Sequence, residues 1–279
     1  MKKLLYFALA ALWLVGCSET SEQEEQSDEL IEVKVGFSGF TFYDEPMTTR
    51  AGLADAATHI DIWVTDGTTT QDIHQVSTDT GFGTAAFTLS KQKTYTMYAV
   101  AHKCAGAATL ANGIISFPDD VVKETFYYTT TFTPSETTSL SATMKRIVGR
   151  FQLVTTDKVP SNVDHMKFVI SQTGTRWNVS TNAATNIIDR EVTFATISRK
   201  DDGTASFSTS ILSTTDTPST FDITVTAYDA HDAVVGTHTF NGLQIQNNHK
   251  TVCTGSFFEG TTSSVFTVEN WLEDILIAF

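Results

Sequence analysis

Residues 221–229 read FDITVTAYD, and their alternation decides the fold: Phe221, Ile223, Val225 and Ala227 fall on one face of an extended chain, Asp222, Thr224 and Thr226 on the other. A period of two, apolar against polar, marks a strand with one side buried in a sheet. The rhythm recurs in Ile31 to Val35, Ile60 to Val64, Tyr95 to Ala101, Phe126 to Phe132, Ile147 to Val154, Met166 to Ile170, Phe207 to Ile211 and Val252 to Phe258. Asp66-Gly67, Asp202-Gly203 and Asn241-Gly242 tolerate positive φ, so hairpins are expected between strands at these points. Helix is confined to a single turn within Gly52 to Thr58. About 47 threonines, whose branched Cβ favours strands, complete an all-β reading.

At 279 residues the chain is long for one domain. Its least structured stretch is Cys104 to Pro118, and a second seam falls near Lys145, where a Thr/Ser-rich strand hands over to KRIVGRFQLV. We therefore expect two β-sandwich domains, 30–145 and 146–279, of about seven strands each. The formal net charge of -14 repels phosphate and excludes nucleic-acid binding.

The chain opens with an address. Lys2 and Lys3 precede an apolar run from Leu4 to Val15, too short to span a membrane but right for a signal peptide over 1–17. Its end, LVGC, resembles the lipobox of bacterial lipoproteins, with Val15 in place of a smaller residue, so Cys17 is expected to be acylated. Residues 18–29 hold six acids and no base, the composition of a flexible tether. Acids just behind the acylated cysteine also resemble the signal that sends Bacteroidales lipoproteins to the outer face of the outer membrane. Cys104 and Cys253 remain, far apart and without metal-ligand spacing; buried free thiols are expected, with a disulfide between them as the alternative.

Catalytic signatures are missing: no GxSxG, P-loop, HExxH, GxGxxG or EF-hand spacing occurs. Seven scattered histidines and the turn acids Asp119-Asp120 and Asp201-Asp202 announce no metal site, and no cofactor or enzymatic activity is expected. Trp63, Phe82, Tyr127, Tyr128 and Trp177 could stack on sugars, making a surface glycan-binding lipoprotein the second reading. Aromatics on strands more often fill cores.

The ends carry the strongest functional signal. In IEVKVGFSGFTF (31–42), Ile31, Val33, Val35 and Phe37 share a face, and a shift at Gly39 lets Phe40 and Phe42 continue it, as a bulge would. MTTRA follows, offering an arginine-specific protease the bond between Arg50 and Ala51. At the other end Trp271, Ile275, Ile277 and Phe279 make an apolar terminus. It reads either as the last strand of its own domain or as a strand donated to a neighbour, where burying four such side chains supplies on the order of 6 to 12 kcal/mol before ordering costs.

Together with the acylated cysteine and TTRA, the segments KTYTMYAVAHK (93–103), TMKRIVGRFQL (143–153), FDITVTAYDAHDAVVG (221–236), NNHKTVCTGSFF (247–258) and FTVENW (266–271) resemble the Bacteroidales-type fimbrillins, subunits of the type V pilus. The resemblance covers most of the mature chain and rests on the ordered combination of loose motifs. It implies two transthyretin-like antiparallel β-sandwich domains in tandem on a lipoprotein carried to the cell surface. It further implies that an arginine-specific protease cuts at Arg50-Ala51, that the strand 31–42 is displaced, and that a strand from 265–279 of the next subunit replaces it. The implied partners are other pilus subunits, that protease and outer-membrane lipid through Cys17. The implied function is a structural, adhesive fimbria subunit, with anchor and tip roles as alternatives.

Overall fold

The computed structural model describes residues 29–42, 53–136, 138–212, 218–259, 267–269 and 275–278. It is nearly all β, 62% strand against 3% helix. In chain order the elements begin with β1 (Leu30–Phe42), the one-turn helix α1 (Leu53–Ala56), β2 (His59–Thr65), β3 (Thr70–Val76), β4 (Thr84–Ser90) and β5 (Tyr95–His102). Next come β6 (Thr109–Ala111), β7 (Ile114–Ser116), β8 (Thr125–Phe132), β9 (Ser139–Arg146), β10 (Val148–Thr155), β11 (His165–Asn178) and β12 (Ala183–Phe194). The remainder are β13 (Ser206–Leu212), β14 (Ser219–Tyr228), β15 (Val234–Ile245), β16 (Lys250–Gly255), β17 (Thr267–Glu269) and β18 (Ile275–Ala278).

The first sheet runs β18-β1-β9-β8-β5-β2-β3, with β4 also on β1. It folds over where β8 and β9 meet, because those strands pair only at Phe126↔Arg146 and Tyr127↔Lys145. The leaf β4-β1-β9 therefore faces the leaf β8-β5-β2-β3. Alternation sends Val33, Val35, Phe87, Leu89 and Met144 from one leaf against Ile60, Ile62, Met97, Ala99 and Phe126 from the other, forming a closed apolar core. Along one side the gap between leaves is bridged by glutamines of β3. Gln71 Nε2 donates to Thr88 O at 2.9 Å and Gln75 Nε2 to Thr84 O at 2.6 Å, satisfying main-chain acceptors of β4 that a bare edge would expose.

The second sheet runs β15-β14-β11-β13-β10-β16-β17, with β12 and β7 also on β11. Here too the sheet bends, since β11 meets β13 at the single pair Gly174↔Leu212. Phe151, Leu153, Phe168, Phe207, Val225 and Cys253 lie in its core. Gly174 is needed at the bend: a Cβ there would lie 2.5 Å from the Ala184 Cβ on β12.

Three expectations change. The stretch 104–118 is not the least structured part: Asn112 (φ 50°) and Gly113 (φ 73°) turn a hairpin, β6–β7, and β7 adds to β11 of the second sheet. Asn241-Gly242 is no hairpin turn either. β15 runs through it with a register shift, and Asp222 Oδ1 accepts the Gly242 N–H at 2.8 Å, so positive φ serves a bulge here. Finally, β16 stops at Gly255 because Asp157 draws the chain aside, accepting the N–H groups of Phe257 (2.9 Å), Phe258 (2.5 Å) and Glu259 (2.6 Å). Although burial opposes it, this cradle holds the Asp157 carboxyl below its ordinary pKa.

Candidate functional site: the first strand and the crossing segment

β1 lies inside its leaf. It runs parallel to β9 from Lys34↔Ser139 to Phe40↔Met144, with the expected register shift between Phe37 and Gly39. On its other edge it runs antiparallel to β4, from Leu30↔Ser90 to Gly36↔Thr84. Val33 and Val35 are 0% and 2% exposed, and Ile31 and Phe37 pack on the same core. On the outward face Glu32 and Lys34 pair at 3.3 Å. Where β1 begins, Lys91 clasps the chain: its N–H donates to Glu29 O at 2.9 Å and its ammonium meets Glu29 and Glu136.

The last strand is found on the first sheet. β18 pairs antiparallel with β1, Gly39↔Ala278, Phe40↔Ile277, Thr41↔Leu276 and Phe42↔Ile275, extending the edge that β4 occupies further back. Residues 275–278 thus pair within the first sheet and not in the sheet that holds β17. Cys17, Arg50, Ala51, Trp271 and Phe279 lie outside the described residues.

Three of the five aromatic candidates for sugar stacking are interior, and the other two are half-buried. Trp63, Tyr127 and Trp177 are at most 7% exposed and form, with Val100, Ile115, Phe117, Ile147 and Leu212, a third apolar cluster between the two sheets. Phe82 and Tyr128 pack on the first core. No flat platform on Trp63 or Trp177 exists, because both rings are spent on joining the sheets. Cys104 and Cys253 are buried free thiols in different clusters.

Sequence reading missed the polar pins of the segment that crosses between the sheets. Asp61, on the face of β2 turned away from the first core, accepts the Ala108 N–H at 2.9 Å and contacts His74 Nδ1 at 2.6 Å and His102 Nε2 at 2.8 Å. The Cys104 N–H donates to His102 Nδ1 at 3.2 Å. Further along, Arg176 grips Asp120 with two bonds of 2.9 and 3.2 Å, and the buried Arg190 donates to Val122 O at 2.9 Å and Ser210 O at 2.8 Å. Burial brings the Arg190 guanidinium down to about 10. Glu124 pairs with Arg146 and, at 3.2 Å, with Arg150, while Arg146 reaches Asn248 Oδ1 at 3.2 Å. Asp61 alternates with Ile60 and Ile62 like any solvent-facing residue, so nothing in its own segment signals its burial. Among the described residues no group of three or more His, Cys, Asp or Glu is placed to hold a metal.

His59 stacks on both His74 and His102, with ring centroids 5.3 and 5.4 Å apart. Burial, then His102 and His74, lowers its pKa below the ordinary value. A base depressed on folding contributes stability that is whole above its unfolded pKa of about 6.5 and is lost as pH falls toward the folded value. Melting temperature is therefore expected to fall between about pH 7 and pH 5, and less steeply in His59→Gln. Parallel slopes for the two proteins would contradict this.

Among curated proteins none matches the chain. Among solved structures it is similar to a candidate cell adhesion protein from Bacteroides ovatus, at 16% identity over 89% of this chain and 99% of that one with a TM-score of 0.53. A candidate polysaccharide binding protein from Bacteroides thetaiotaomicron aligns at 15% identity over 87% and 99%, TM-score 0.52. The fimbrial anchor protein Mfa2 from Porphyromonas gingivalis aligns at 11% identity over 90% and 99%, its TM-score of 0.45 being too low to argue from. The first two likenesses establish a shared fold. Residues 116–276, more than half of the chain, match the model of a family of unknown function (DUF6562), and the chain belongs to that family.

Proposed function

We propose that this chain is a subunit of a cell-surface fimbria, exported as a lipoprotein through Cys17 and linked to neighbouring subunits by exchange of its first strand. The observation that carries this reading is the position of β1, bonded on both edges and buried through Val33 and Val35, yet joined to the rest of the chain only past Phe42. A cut between Arg50 and Ala51 would sever that one connection. Without β1 a groove opens between β9 and β4, and β18 loses its strand partner and becomes free to enter the groove of another copy. Strand addition of this kind takes register from main-chain bonds and specificity from alternate side chains, and a head-to-tail repeat propagates into a filament. The fold shared with a candidate cell adhesion protein of Bacteroides supports a surface role.

Limited digestion of residues 18–279 with an arginine-specific protease tests the reading. A single early cut giving a new terminus at Ala51, followed by detergent-resistant, heat-labile ladders, is expected. Resistance at Arg50 together with a monomeric product would refute polymerisation and leave an anchor that keeps its lipid.

A further inference from the structure

A cleft of about 350 Å³ opens where β8 and β9 part. Beyond Tyr127↔Lys145 the two strands have no further pairing with each other, β8 continuing beside β5 and β9 beside β1. The third wall comes from the second sheet, through Trp177 of β11 and Asn182 in the turn before β12. The cleft is thus made by both sheets together, and its volume is at the small end for ligand sites, enough for one or two sugar rings.

Its lining is rich in donors. Among the described residues Lys145 has no ion-pair partner and, although the chain carries a net charge of -14, no Asp or Glu lines the cleft. Thr143 and Asn182 are exposed at its mouth. Among the described residues the buried Tyr127 hydroxyl and Trp177 indole N–H have no well-formed hydrogen bond, and Thr129 and Trp177 are the polar groups beside the hydroxyl. Burial pushes the Tyr127 hydroxyl up to about 12, so it stays a neutral donor. Unsatisfied buried donors are costly, and an acceptor that draws them into bonds recovers that cost.

We propose that this cleft binds an acidic sugar unit of a polysaccharide, a hydroxylated ring whose carboxylate faces Lys145 while its oxygens meet Asn182, Thr143 and the Tyr127–Trp177 pair. A wholly apolar ligand would strand these polar groups, and one lysine without a cradle of main-chain N–H groups is a poor phosphate site. A single unopposed cation does match a single carboxylate.

The test uses residues 18–279 with D-glucuronate and D-glucose as probes, followed by the indole N–H resonance of Trp177, assigned with Trp177→Phe. Glucuronate is expected to shift that resonance with a Kd of about 1 mM, and glucose to bind about ten-fold more weakly or worse. Lys145→Met, a change at an exposed position whose fold is checked by melting, should bring the two sugars level by weakening glucuronate alone. The proposal is overturned if glucuronate at about 50 mM leaves the resonance unmoved, if glucose binds as well, or if Lys145→Met keeps the preference. The test is made on the uncut chain with β1 in place, so failure here and failure of strand exchange are separate results.

Discussion

A chain beginning at Ala51 is expected to lose the first sheet, and to regain it when a peptide of residues 30–42 is added. Val33 and Val35 are fully buried, and Ile31 and Phe37 pack beside them. At about 1.5–3 kcal/mol for each fully buried side chain, β1 contributes on the order of 5–10 kcal/mol, comparable with the whole net stability of an ordinary domain. Its removal also leaves the facing edges of β9 and β4 without partners, a second cost that burial alone does not count. The same peptide carrying Val35→Asp should fail, because a carboxylate has no partner in that apolar core. Circular dichroism and melting of the truncated chain, with and without peptide, read the outcome. A truncated monomer that melts within a few degrees of the intact protein would contradict the expectation.

Arg146→Ala carries the second large effect. Arg146 and Glu124 are 6% and 8% exposed, and Arg146 also lies over the Phe126 ring and reaches Asn248 near the start of β16. Deleting the guanidinium leaves Glu124 in the interior with the half-exposed Arg150 as its partner, and breaking a buried pair on one side costs about 3–5 kcal/mol. For a protein of this size that lowers the melting temperature by about ten degrees. Replacing both partners, Glu124→Leu with Arg146→Met, should recover much of the loss, since no charge is then stranded. A single variant within about 1 kcal/mol of the parent would show that the pair is solvated in practice.

The strands with one buried face, β1 and β14, were readable, and so was the alternation of β2, β5, β8 and β10, although part of their second face is buried too, against the cluster between the sheets. β12 was not readable. It covers the outer edge of β11 with both faces partly open, so Ile187 and Ile188 stay about two-fifths exposed and no alternation is enforced. The hairpin β6–β7 was missed for a different reason. Three-residue strands give too little pattern, and the partner that stabilises them, β11, lies some sixty residues on. The strand 31–42 was legible because its pattern is local. The pins at Asp61, Glu124 and Arg190 were not, since each takes its meaning from groups far along the chain.

The placement of β1 also decides how the molecule answers to force. A chain held at Cys17 and pulled by its body would load β1 from its leading end, along its own length. The bonds to β4 run from Leu30 to Gly36 and those to β9 from Lys34 to Phe40, on opposite edges. Lengthwise tension strains both rows at once, in shear, whereas a strand peeled sideways gives up its bonds one at a time. The strand that a cut at Arg50 would loosen is therefore, while whole, a mooring that resists being drawn out.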